Sequence, residues 1–196
     1  MTLVVEDALS ACIAEKVVRY ADPRRPILPT VYGQRGNSYI KNSLPKFNLA
    51  AKHAPYFILT DLDARACAPS LVKEWLDGHE AEPRLLFRVA VREVEAWLLA
   101  DRTNFATFLG ISDARIPRDP EGLPDPKATL INLATSSKTK RLRERIVPSK
   151  QSKAKQGPDY NDALSEFVRA TWDLKTAAQE ALSLARTIRA IQRCTF

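Results

Sequence analysis

The stretch Tyr56 to Asp63, Tyr-Phe-Ile-Leu-Thr-Asp-Leu-Asp, constrains the fold more than any other. Its apolar, aromatic and β-branched start fits a strand covered on both faces, with Pro55 at its first position, and such strands belong to parallel sheets flanked by helices. Side chains two apart in a strand point the same way, so Asp61 and Asp63 are expected to aim together past the strand's carboxyl edge. Open α/β sheets bind ligands at that edge. Two carboxylates held close repel unless one takes a proton or a cation lies between them, and magnesium prefers oxygen donors of this kind. Asp63 can equally serve as the N-cap of the next helix.

The same pattern occurs twice more. Thr-Leu-Val-Val at residues 2 to 5 forms a short buried strand that ends in Glu6 and Asp7. From Ala8 the residues Leu9, Cys12, Ile13, Lys16, Val17 and Tyr20 keep to one helical face with a period of about 3.6. Leu85 to Val91 is a further strand, followed at once by Arg92-Glu93-Val94-Glu95-Ala96-Trp97. A helix beginning at Glu93 turns Glu95 about 200° away from it, whereas persisting strand geometry keeps both on one side. Glu93, nearer the strand end, is the first candidate, and Glu95 remains in play. If the strands are parallel neighbours, Glu6, Asp61, Asp63 and Glu93 stand on one sheet edge and can converge on one ion. As a helix cap Glu6 would be unremarked.

Other segments follow from turn and helix signals. Ile27 to Tyr32 is a strand that Pro29 moves to the sheet edge. Gly33-Gln34-Arg35-Gly36-Asn37 is a tight turn whose N–H groups and Arg35 can meet a phosphate, or an ordinary loop. Residues 38 to 53 form a basic amphipathic helix that Pro45 must kink or delay, and a helix from about Pro69 to Leu76 leads to the next strand. Lys127 stands at the first turn of a helix over Ala128 to Ala134, where the dipole disfavours a cation; it faces an anion or simply solvent. Two helices, roughly 161 to 173 and 176 to 193, close the chain.

Charge sharpens this picture. The net charge is +7, and between Lys138 and Lys155 lie eight Lys or Arg (Lys138, Lys140, Arg141, Arg143, Arg145, Lys150, Lys153, Lys155) against one acid, Glu144. The remaining residues balance. A neutral body with one concentrated basic stretch points to a docking surface for a polyanion, with a solvated loop as the alternative. The three cysteines, Cys12, Cys67 and Cys194, have neither disulfide nor zinc spacing. No apolar run approaches the roughly 18 to 20 residues that cross a bilayer, and no signal-peptide pattern follows Met1, so a cytoplasmic protein without membrane contact is expected.

With strand-Glu, strand-Asp-x-Asp and crossover helices in that order, the chain resembles the Toprim domain of primases, topoisomerases and nucleases of the overcoming-lysogenization-defect type. It is similar still more closely to a bacterial family of uncharacterised Toprim-like proteins. The segments that carry this are Leu-Val-Val-Glu, Leu-Thr-Asp-Leu-Asp-Ala, Arg-Glu-Val-Glu-Ala-Trp-Leu-Leu-Ala-Asp, Pro-Asp-Pro-Lys-Ala-Thr-Leu and Gly-Pro-Asp-Tyr-Asn. The resemblance implies a Toprim-like, Rossmann-like α/β domain with a mainly parallel sheet flanked by helices over residues 1 to 112, and a basic, mainly helical extension over 113 to 196. It implies a metal-dependent nuclease or nuclease-like effector that cleaves phosphodiester bonds in DNA or RNA with Mg2+ or Mn2+, often beside an ATPase partner in phage defence. Glu6 is then a ligand or general acid/base, Asp61 and Asp63 are magnesium ligands, and Glu93, with Glu95, completes the site. Arg35, Lys127 and the residues Lys138, Lys140, Arg141, Arg143, Lys150, Lys153 and Lys155 hold the nucleic-acid backbone. Two positions depart from the family: Asp7 follows Glu6 where glycine is common, and Ser10 stands where the nuclease branch has a second acid. The alternative is a non-catalytic nucleic-acid or ATPase-binding module on the same scaffold.

Overall fold

The computed structural model describes residues 1–33 and 37–194, in two compact units. The first runs from Met1 to Val91 and takes in the C-terminal stretch from Ser183 on; the second is Arg92–Leu182. The expected boundary near residue 112 falls inside the second unit.

The first unit is built on four strands: β1 (Thr2–Val5), β2 (Leu28–Tyr32), β3 (Tyr56–Asp61) and β4 (Leu85–Ala90). They form an all-parallel sheet in the order β2-β1-β3-β4. Helices α1 (Ala8–Ala21), α2 (Asn37–Ala50) and α3 (Ala68–Trp75) are the crossovers. From β1 to β2 the chain steps one way along the sheet, and from β2 to β3 to β4 the other. Right-handed crossovers then put α1 on one face and α2 with α3 on the other. The packing agrees with this. Val4, Ile58, Phe87 and Val89 share a core with Ile40 and Leu44 of α2 and Leu71 and Trp75 of α3. The alternate residues Leu3, Val5, Phe57 and Leu59 are buried toward the opposite face, where α1 packs on β1 and contributes Leu9, Ile13 and Val17.

Helix α10 (Leu182–Arg193) covers that same face. Arg88, pointing away from Phe87 and Val89, donates from Nε to Thr187 Oγ1 at 3.3 Å, and the Val91 N–H donates to Ser183 Oγ at 3.3 Å. Pro29 lies on the edge strand β2, as its missing donor requires. Helix α2 runs through Pro45, whose ring is exposed, so a single lost N–H is tolerated without ending the helix.

The second unit is helical: α4 (Val94–Ala100), α5 (Arg102–Leu109), a 3-10 turn at Asp113–Arg115, α6 (Pro126–Thr135), α7 (Lys140–Ile146), α8 (Tyr160–Ala170) and α9 (Leu174–Glu180). Its axis is α4, every residue of which is buried; a helix covered all round belongs at the centre of a bundle. α5, α6 and α9 pack against it. Trp172 Nε1 donates to Trp97 O at 3.2 Å, and Phe167 of α8 meets the rings of Phe105 and Phe108 at 5.2 and 5.1 Å. The periodicity that predicts one helix over 176 to 193 continues across a break at Ala181, because Ala181 is itself buried while its backbone is extended. Among the described residues no helix is long and apolar enough to cross a membrane.

Candidate functional site

In the first unit the winding direction reverses between β1 and β3, and in open α/β sheets ligands bind beyond the carboxyl ends of the strands at such a point. Glu6 stands there. The β1–β3 register pairs Thr2 with Tyr56 and Val4 with Ile58, so the next step of the ladder sets Glu6 beside Thr60. Thr60 Oγ1 donates to Glu6 Oε1 at 2.5 Å, and the Asp61 N–H donates to the same oxygen at 3.3 Å. Oε2 carries no hydrogen bond among the described residues. Burial pushes the Glu6 carboxyl above its ordinary range, the donors from Thr60 and Asp61 oppose this, and the negative charges of Asp63 and Asp7 add to the rise. Glu6 is not the helix cap. That role belongs to Asp7, whose Oδ1 accepts the Ser10 N–H at 2.8 Å.

Asp61 is the last residue of β3 and partly buried. Strand geometry stops there, so alternation does not carry Asp63 to the same side. Asp63 is exposed in the left-handed region with φ 53°, and its Oδ2 accepts from Asn37 Nδ2 at 3.2 Å. Nor does Asp63 cap the following helix, whose N-cap is Cys67. Arg35, the expected phosphate contact of the turn before α2, lies outside the described residues.

Glu93 and Glu95 make their contacts in the second unit. Glu93 has extended backbone as the N-cap of α4, and Glu95 lies in the first turn of the helix. Both meet at Lys127. The Lys127 N–H donates to Glu93 Oε2 at 2.8 Å, and its Nζ lies 3.5 Å from Glu95 Oε1. The same Glu95 oxygen accepts from the buried Tyr160 hydroxyl at 2.9 Å, and the ammonium stands 4.9 Å from the centre of the Tyr160 ring. The anion that accounts for a lysine at the start of α6 is therefore Glu95, which is 3% exposed. Glu93 is pushed up to about 7, chiefly by burial; the Lys127 N–H opposes this, and Glu95 and Asp125 raise it further.

The basic stretch contains a helix, α7, where composition alone admits a loop. Two of its arginines have structural work. Arg145 forms paired hydrogen bonds with Glu166, both 2.8 Å, and Arg143 donates to Ser137 O. Lys140 meets Glu144 at 3.7 Å in full view of solvent. Lys138, Arg141, Lys150, Lys153 and Lys155 are exposed and have no ion pair among the described residues.

Among the described residues no group of three or more His, Cys, Asp or Glu side chains is arranged to enclose a metal. Magnesium, however, commonly keeps several waters and is bound by one or two carboxylates together with substrate phosphates. Glu6, whose Oε2 is left over, is a hard donor of that kind; Asp61 meets it through its backbone N–H, and Asp63 acts on it through its negative charge. Thr60 and Tyr160 are the participants that sequence patterns miss. Thr60 is one more buried residue of a strand, and Tyr160 opens a helix far along the chain; only the β1–β3 register, extended by two residues, could have pointed to Thr60. Comparison with protein-family models, with curated proteins and with solved structures finds no match.

Proposed function

We propose that the chain is a Toprim-like metal-dependent nuclease, or nuclease-like effector, that cleaves phosphodiester bonds in DNA or RNA with Mg2+ or Mn2+. The observation that carries this is Glu6 at the switch point, oriented by Thr60 and the Asp61 N–H, with Asp63 close enough to raise its proton affinity. Glu6, Asp61 and Asp63 would hold the ion, which when bound polarises the phosphoryl oxygen and makes water a stronger nucleophile. The Thr60 hydroxyl and the Asp61 N–H fix one Glu6 oxygen, so the other would be available to the ion with little reorganisation. Lys138, Arg141, Lys150, Lys153 and Lys155 would hold the backbone of the nucleic acid, with affinity falling as salt rises. By resemblance, the setting is a cytoplasmic phage-defence system with an ATPase partner.

Asp61→Ala and Glu6→Gln should abolish magnesium- or manganese-dependent cleavage of plasmid, single-stranded DNA and RNA while nucleic-acid binding stays; unchanged cleavage rejects the mechanism. One observation favours the second reading, a non-catalytic nucleic-acid or ATPase-binding module. Glu95, expected as a ligand with Glu93, already has the Lys127 ammonium as its cation. Calorimetric titration with magnesium and manganese separates the two, since the module needs no ion.

A further inference from the structure

We infer that the hollow between α7 and the loop over residues 147–158 receives a base of an unpaired nucleic-acid strand, whose phosphates meet the lysines around it. This rests on the proposal that the basic stretch meets nucleic acid, and it narrows the substrate class to single-stranded or locally unpaired DNA or RNA. The hollow measures about 690 Å³, within the roughly 300 to 1,000 Å³ usual for ligand pockets. Val147, Pro148, Ala154 and Pro158 give it an apolar lining, and Arg143 and Lys150 stand on it as cations beside one acid, Glu144, which is paired with Lys140 at 3.7 Å.

The loop is anchored on α7. The Gly157 N–H donates to Ile146 O at 2.9 Å and the Asp159 N–H to Arg145 O at 3.1 Å. A Cβ on Gly157 would stand 2.3 Å from Arg145 O, so the close approach needs glycine. Arg145 is in turn held by Glu166. Around this fixed frame, Lys138, Arg141, Lys150, Lys153 and Lys155 have no ion pair among the described residues.

Charge and apolar lining together select the occupant. A duplex keeps its bases stacked inside and offers phosphates, which the lysines satisfy without any hollow. A single strand offers both: phosphates for the cations, and a base whose flat face packs on Pro148 and Pro158 and leaves water. The neutral polar residues Ser149, Ser152 and Gln156 also line the hollow and can meet the edge of a base.

The test is fluorescence anisotropy on the full chain in chelator, without metal, using labelled oligothymidine, a duplex of equal length, and polyglutamate as competitor. The single strand should bind about tenfold more tightly than the duplex. Ala154→Trp, which fills the hollow on an exposed loop, should bring the two affinities together and leave thermal stability unchanged. Lys153→Gln should weaken both alike and reduce the salt slope by about one. Equal or tighter duplex binding, a preference that survives Ala154→Trp, binding of neither nucleic acid, or polyglutamate displacing the strand at equal charge concentration would each overturn the inference. Since no metal is present, a protein that binds as expected and later cleaves nothing with magnesium counts only against the nuclease proposal.

Discussion

Glu6 and Glu95 carry the same sequence signature, an acid just after an apolar strand, and meet opposite fates. Glu6 in the first unit receives neutral donors, the Thr60 hydroxyl and the Asp61 N–H, and has like charges for neighbours. Glu95 in the second unit receives the Lys127 ammonium and the Tyr160 hydroxyl, and is deeply buried. Among the described residues the first carboxylate is oriented but has no ion pair, which suits a group waiting for a cation or a proton. The second has its countercharge built in, which suits a structural pair that also holds a lysine in place. An acid at a strand end is thus an ambiguous signal until the sign of its neighbours is known.

Removing each acid measures the contrast. Glu95→Ala leaves a lysine and a buried hydroxyl without their shared acceptor and should destabilise the protein by about 3 kcal/mol in chemical denaturation. Glu6→Ala should cost only about 1 kcal/mol, the net value of a hydrogen bond, and its removal of like-charge repulsion offsets part of that. Equal losses at the two positions would erase the distinction.

A pH series on the metal-free protein sharpens it. Glu93 keeps its proton up to about 7 in the folded chain, whereas an unfolded glutamate releases it near 4.3. Between these values the native state binds more protons, so stability is full below the unfolded pKa and falls as pH rises through the folded one. The loss should be about 1 to 2 kcal/mol after allowing for partial exposure, read as a lower denaturation midpoint at pH 8 than at pH 5. Glu93→Gln should flatten it. Glu6, also shifted upward, contributes with the same sign.

The smallest effect is expected at Asp63. Its left-handed backbone suits glycine, and its charge raises the proton affinity of Glu6. Asp63→Gly should therefore leave stability unchanged or raise it by a few tenths of a kcal/mol, while weakening magnesium binding in calorimetry. A clear loss of stability would mean that Asp63 supports the fold, and would remove it from the ligand set.

Much of the first unit is legible because its signals are local. The strand end at Val5, the edge position of Pro29 and the helix start after Asp7 each depend on side-chain periodicity or on a missing donor within a few residues. The loop-like composition around Lys140 hid α7, and the steady periodicity through Ala181 hid the break between α9 and α10. Asp63 illustrates the limit most directly. Two-residue alternation aligns it with Asp61 only while the chain stays extended, and a single left-handed residue breaks that premise.

By itself the sequence determined the parallel α/β character of the first unit, the positions of its acids at strand ends and the concentration of positive charge between Lys138 and Lys155, because periodicity and composition are properties of neighbouring residues. Tertiary structure alone decided that Thr60 would hold Glu6, and that Lys127 and Tyr160 would meet on one oxygen of Glu95. Those partners are separated by tens of residues along the chain, and only the sheet register and the packing of α6 and α8 in the helical unit bring opposite charges, or donors and acceptors, within reach.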